Sequence, residues 1–223
     1  LERAIDLLPE TNAAGRIDKY SAMGLMAKVY LTKAGYGQSG TRNQADLDKA
    51  AFYANEVIAK SGRKLMENYS DIFRLQNNMA DESLIAWRWT VGSQWTSQNT
   101  LQSDLGLNGF SEFADTWGTW VGITIDLQNL FGEDATNKTT RVNNDARRKA
   151  TMMMMGDKYE YFWADKGGFT YNWVNGDITF GVGTGSNVVK HLVGNNNDHK
   201  LGTGGSGMDR MATALATHIL RLA

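Results

Sequence analysis

LERAIDLLPETNAAGRIDKYSAMGLMAKVYLTKAGYG (residues 1–37) holds the pattern on which the fold turns. Tyr20, Met23, Ala27, Tyr30, Leu31 and Ala34 recur at the spacing of one helix face, which predicts a helix over 20–34. Gly15 and Asp18 stand where that helix would start, and Gly35 stands at a natural C′ position past its end. Residues 1–8 read as the close of an earlier helix, stopped by Pro9, the single proline of the chain. The polar stretch GYGQSGTRNQ (35–44) then leads to a second periodic stripe of Leu47, Ala50, Ala51, Ala54, Val57 and Ile58, which Ser61-Gly62 ends. Small alanines at the contact allow close helix approach, so the pair resembles a tetratricopeptide hairpin. This part of the chain reads as scaffold.

The remainder is composed differently. All seven Trp fall between Trp87 and Trp173, and the glycines concentrate after residue 80. A boundary is therefore expected at about 75–80, giving a helical scaffold over 1–78 and an irregular, loop-rich region over 79–223. SLIAWRWT (83–90) alternates as a strand, with Ile85, Trp87 and Trp89 on the side expected to pack inward. TMMMMGDKY (151–159) has no alternation of polarity and reads as a buried strand.

Charge and composition narrow the function. The 223 residues are 42% hydrophobic and 21% charged, as in a globular protein. A formal net charge of -1 argues against a nucleic-acid partner that needs a broad basic surface. No apolar run approaches the ~18 residues of a membrane-spanning helix. No charged-then-apolar leader opens the chain, which places any export signal outside it. With no cysteine, disulfides, thiolate zinc ligands and thiol catalysis are excluded.

Several motifs together resemble one family. Leu8-Pro9, Gly15-Arg16, Lys19, Ala22, Leu25, Ala27 and Val29-Tyr30-Leu31 follow its "LP", "GR-x-(T/D)-K" and "A-x-x-L-x-A-x-V-Y-L" segments. DLDKAAFYANEVIAKSGRKLMENYSDIFRLQNNMADESLIAWRW (46–89) is similar to the segment after that, NNDARRKATMMMMGD (143–157) to its "D-x-R-(R/L)-x-x-T", VVKHL (188–192) to its "K-(Y/F)", and HILRLA (218–223) to the start of its "(I/L)-R-(Y/L)-A-E" helix. On these residues the chain resembles the SusD/RagB outer-membrane nutrient-binding lipoproteins of Bacteroidota. The resemblance implies a mainly α fold, with tetratricopeptide-like helical hairpins, a loop-rich ligand-binding region and a few short strands. It implies a non-catalytic protein without cofactor, held at the cell surface by a lipid anchor. Such a protein binds oligosaccharides, or peptides in RagB-like members, for uptake through a TonB-dependent, SusC-like transporter. It also implies that the chain is an internal piece of a longer protein.

Independently of the family, the middle of the chain has the chemistry of a sugar site. Aromatic rings offer flat apolar surfaces to the C–H faces of pyranoses, while amides and carboxylates pair with hydroxyls. VGSQWTSQNTLQSDLGLNGFSEFADTWGTWVG (91–122) supplies Trp95, Trp117 and Trp120 among Asn99, Asn108, Asp104 and Asp115. FTYNWVNGD (169–177) adds Tyr171 and Trp173. The glycan-binding candidates are thus Trp95, Asn99, Asn108, Trp117, Trp120, Tyr171 and Trp173. Trp is buried on average, so only one or two are expected to touch ligand.

Other chemistries find less support. Asp104, Glu112 and Asp115 are close in sequence, but nothing marks them as the placed acid pair of a glycoside hydrolase. His191, His199 and His218 lack metal-ligand spacing. Arg141, Arg147, Arg148 and Lys149 suggest an anion patch, yet Glu133, Asp134 and Asp145 make ion pairing the expected role. Gly202–Gly207 spells G-x-G-x-x-G, but VGNNNDHKL before it offers no strand and no Lys-Ser/Thr pair follows it. Met211, Leu215, His218, Ile219 and Leu222 share a helical face, whereas the resemblance makes MATALATH an extended lead-in and starts a helix near Leu220. The latter is the expectation carried forward. The rival functions are a tetratricopeptide-type adaptor for a protein or peptide and a glycoside hydrolase.

Overall fold

Helix α1, Glu2–Leu7, stops at its proline. The Pro9 ring disfavours helical geometry in the residue before it, and Leu8 is extended, at φ -77 and ψ 140. The computed structural model describes residues 1–37, 39–89, 101, 105, 122–133, 145–162, 164, 167–171, 185–190, 192 and 216–222.

Helix α2 spans Lys19–Gly35 and α3 spans Gln44–Lys60. Each starts on a side-chain cap: Asp18 accepts from the Ser21 amide at 2.7 Å, and Asn43 from the Asp46 amide at 3.0 Å. The helices run antiparallel. The Asn43 amide donates to the Ala34 carbonyl, Lys33 near the end of α2 pairs with Asp46 near the start of α3 at 2.8 Å, and Tyr30 stacks on Tyr53. Tyr20, Met23, Met26 and Val57 join Ile5 and Leu84 in one core. Leu31 and Ile58, expected inside, are instead 52% and 60% exposed along an apolar groove shared with Ala27, Leu47, Ala51 and Ala54. Gly35 is the last residue of α2, and the left-handed glycine is Gly37, at φ 69.

Strand β1, Ser83–Trp87, forms where its alternation predicts, and Ile85 packs on the helical core as expected, but Leu84 does so too and Trp87 does not. Leu84 is 7% exposed and Trp87 62% exposed, so the expected packing role of Trp87 is corrected. Irregularities between Ser83 and Ile85, and again between Ile85 and Ala86, break the simple alternation of sides. The partner of β1 is a strand at Thr217–Arg221, β6, with Ile85 opposite Leu220 and Trp87 opposite Thr217. The helix expected near Leu220 is therefore corrected to a strand. Thr217, Ile219 and Leu220 suit a strand as well as a helix, and ladder bonds to a partner far along the chain decide it. Gly24, inside α2, permits this packing: a Cβ there would lie 2.7 Å from Leu84 Cδ1 and 3.3 Å from Leu220 Cδ2.

Two units result, and neither is a continuous stretch. The first gathers Leu1–Glu67, Met79–Trp87 and Thr217–Ala223; the second gathers Asn68–Asn78 and Arg88–Ala216. A single cut near residue 78 is corrected accordingly: β1 and β6 belong with the helices, because their side chains complete the helical core.

The described elements of the second unit are short. Two 3₁₀ turns, Tyr69–Phe73 and Leu75–Asn77, are followed by helices α4, Ile125–Leu130, and α5, Ala146–Thr151. Strand β2, Met152–Met154, pairs with β5, Ser186–Val188, and β3, Lys158–Tyr159, pairs with β4, Phe169–Thr170. Met152, Met153 and Met154 are fully buried, as the methionine run predicts.

Asp18 anchors the first unit. Its carboxylate meets Arg63 at 2.7 Å, and that guanidinium also donates to the Ser83 carbonyl at 2.8 Å and the Asp81 carbonyl at 3.1 Å. The Ser21 hydroxyl donates to the Leu84 carbonyl at 2.7 Å. Burial alone would raise the Asp18 carboxyl, but the Ser21 amide, the Arg63 guanidinium and the Ser21 hydroxyl outweigh it and hold it below the usual value. A depressed folded pKa contributes stability above the unfolded value, and that contribution is lost as pH falls through the folded value. Asp18→Ala is expected to destabilise the protein by about 2–3 kcal/mol at neutral pH, combining a lost cap with a broken, partly buried ion pair. Urea denaturation followed by circular dichroism measures this. The gap between variant and wild type should close at acid pH, and a gap that stays constant would contradict the assignment.

Candidate functional site

Among the described residues of the second unit, one cation is buried. Asp145 caps α5 by accepting from the Arg147 amide at 2.8 Å and pairs with the Arg147 side chain at 2.6 Å. Arg148, the next residue, is buried: its Nε lies 2.8 Å from Glu133 Oε1, and its two terminal nitrogens grip both oxygens of Asp157. Asp157 also accepts from the Met154 amide at 2.8 Å. Burial would lower the Arg148 guanidinium, and Asp157 with Glu133 more than reverses that. Of the expected ion pairs, those of Arg147 with Asp145 and Arg148 with Glu133 are observed, Lys149 is corrected to a residue with no carboxylate partner among the described residues, and Arg141 and Asp134 lie outside them. Asp157, which grips Arg148 at two atoms, was not singled out from the sequence.

Aromatic and amide groups fill the space beside this ion pair. The Tyr159 hydroxyl donates to the Lys149 carbonyl at 3.0 Å, and burial pushes that phenol well above its ordinary value, with the Asp157 charge adding to it. Tyr171 is fully buried, its hydroxyl accepting from Asn187 Nδ2 at 2.7 Å; burial lifts the phenol to about 12, although the Asn187 bond opposes the rise. Gln128 Nε2 donates to the Ile123 carbonyl at 2.9 Å and to Ser186 Oγ at 3.1 Å, which holds α4 against β5.

Over this core opens a cleft of about 460 Å³, within the range of small-ligand pockets. Phe73, Arg74, Lys149, Lys158, Tyr161 and Lys190 are on its lining. Arg74 lies over the Tyr161 ring at 4.5 Å, and Lys190 sits 5.4 Å from the Tyr69 ring centre and 5.2 Å from that of Phe73. The arrangement can receive a flat polar ligand and compensate negative charge. Sequence reading missed it because its residues come from four separated stretches, and only RRK at 147–149 carried a local signal.

Of the residues expected to bind sugar, Trp95, Asn99, Asn108, Trp117, Trp120 and Trp173 lie outside the described residues. So do His191, His199 and Gly202–Gly207. Tyr171 is described, and its expected role is corrected: a ring with no exposed surface packs the core and offers no face to a ligand. His218 stands in β6, its Nδ1 3.1 Å from the Ser83 hydroxyl.

No family model matches the chain. Over 224 aligned positions it is 34% identical to a SusD-like protein of Bacteroides ovatus, covering all of this chain and 37% of the relative. The chain belongs to the SusD-like family. A solved structure with xylogluco-oligosaccharide is 32% identical to this SusD-like chain, with a TM-score of 0.77 over 99% of this chain and 40% of the other. Surface glycan-binding protein A of Bacteroides thetaiotaomicron, solved with laminarihexaose, shares the fold at 17% identity and a TM-score of 0.59, over 97% of this chain and 44% of its own.

If Tyr171 is core in this SusD-like chain, its removal should affect stability and not affinity. Tyr171→Phe leaves the buried Asn187 amide without this acceptor and is expected to cost about 1–3 kcal/mol. Thermal unfolding and calorimetric titration with oligosaccharide separate the two effects. A loss of affinity with unchanged stability would return Tyr171 to the binding site.

Proposed function

We propose that the protein binds a xyloglucan-type oligosaccharide at the cell surface without cleaving it, and passes it to a TonB-dependent, SusC-like transporter. The observation that carries this reading is the likeness, along nearly the whole chain, to a protein crystallised with a xylogluco-oligosaccharide. The chain spans about two fifths of that protein's length, so the ligand, the partner and the lipid-anchored outer-membrane location are parts of the proposal. The antiparallel hairpin of α2 and α3 is taken as one repeat of a tetratricopeptide-like scaffold.

Composition supports the same ligand class. Trp95, Trp117, Trp120 and Trp173 stand among Asn99, Asn108 and other amides, which suits stacking on pyranose faces with hydrogen bonds at their edges. Stacking and hydroxyl pairing provide affinity without any general acid or base.

Calorimetric titration of the native protein with xylogluco-oligosaccharide, and with laminarihexaose as a comparison, tests the reading. Xylogluco-oligosaccharide is expected to bind the more tightly, with no new reducing ends after prolonged incubation. Joint replacement of Trp95, Trp117 and Trp120 by Ala should weaken binding by about tenfold or more while the melting temperature holds, since stacked rings dominate such sites. Hydrolysis of the ligand would overturn the non-catalytic assignment, and unchanged affinity in the triple variant would overturn the choice of rings.

A further inference from the structure

The cleft of the second unit has a charge that a neutral glycan does not call for. Arg74, Lys149, Lys158 and Lys190 lie on its lining, against one carboxylate among the described lining residues, Glu160. Arg74 is partly balanced by Asp71 at 3.1 Å. Lys149 and Lys190 pair with no carboxylate among the described residues, and each lies against aromatic rings: Lys149 is 5.2 Å from Tyr159, and Lys190 is close to Tyr69 and Phe73. Elsewhere in the same unit, by contrast, Arg147 and Arg148 are held by Asp145, Glu133 and Asp157. Among the described residues, the unit thus pairs Arg147 and Arg148 with carboxylates and leaves Lys149, Lys158 and Lys190 on the cleft without one.

We propose that this cleft is a second saccharide site, selective for sugars that carry a carboxylate, the uronic acids. A uronate presents a C–H face to an aromatic wall and a planar carboxylate to cations beside that wall, and the cleft has both. The Arg74 guanidinium, 4.5 Å over Tyr161, is a planar donor of the type that suits a carboxylate. Lys149 and Lys190 supply point charges. A volume of about 460 Å³ suits a short oligosaccharide segment. The proposal rests on the reading of the protein as a glycan binder, but uses none of the residues assigned to the neutral sugar.

The test titrates the native protein calorimetrically with a tetramer of galacturonic acid, its fully methyl-esterified form, tetra-aspartate and xylogluco-oligosaccharide. Galacturonate is expected to bind, with affinity falling as salt rises, and the ester and tetra-aspartate to bind at least about tenfold more weakly. Lys149→Gln with Lys190→Gln should reduce galacturonate affinity by about tenfold or more and leave xylogluco-oligosaccharide affinity and the melting temperature unchanged. Galacturonate binding that the double variant retains, ester binding of equal strength, or the absence of galacturonate binding would overturn the uronate site. Equal binding of tetra-aspartate would overturn its assignment to a saccharide and make it an acidic-peptide site. Loss of xylogluco-oligosaccharide binding alone would count against the proposed neutral ligand and leave this site standing.

Discussion

Asp18 is the point on which the helical unit closes. One carboxylate caps α2, and its partner Arg63 carries the connection onward to the carbonyls of Asp81 and Ser83. Residues far apart in sequence are thereby fixed before any apolar contact is counted. Strand β1 has to arrive with Leu84 over α2, and Gly24 is the residue that leaves room for it. Strand β6 follows, since an edge left unpaired beside a buried Leu84 would leave backbone groups without partners. Glu82 reinforces the closure by accepting from the Met66 amide and pairing with Arg221.

The second unit solves a different problem with similar means. Its described strands are two or three residues long, too short for ladder bonds to hold a fold on their own. A buried guanidinium gripped by two carboxylates, with buried tyrosines and amides around it, supplies directional bonds in place of long elements. A buried ion pair of this kind specifies geometry more than it adds net stability, because desolvation offsets much of the attraction. The cleft rests on that fixed geometry: Lys149 sits on the helix that carries Arg148, and Lys190 follows the strand that carries Asn187.

Local pattern made some elements legible and left others hidden. The α2 and α3 stripes, the stop at Pro9, the strand after Ser83 and the buried methionine run could all be read, because neighbours within a few residues determine them. The ion pairs of Arg147 and Arg148 were also foreseen in kind. What could not be read depended on distant partners. The strand at Thr217–Arg221 is set by β1, Trp87 turns outward because the strand pairing is irregular, and the helical unit takes back residues from beyond the boundary that composition suggested. The close approach of Leu84 and Leu220 to Gly24 likewise depends on strands far along the chain. At the site, Tyr171 shares a stretch with Trp173 and was assigned with it, yet its ring belongs to the core. Composition identifies rings that suit sugars, but it does not say which of them face solvent.

On the function proposed, a non-catalytic aromatic surface of this SusD-like chain takes up the sugar. A crystal structure of the native protein soaked with xylogluco-oligosaccharide tests that most directly. Intact sugar is expected with pyranose faces against one or more of Trp95, Trp117 and Trp120, and amide side chains at its hydroxyls. An intact ligand seated away from all three rings, or cleaved sugar at a pair of carboxylates, would contradict it.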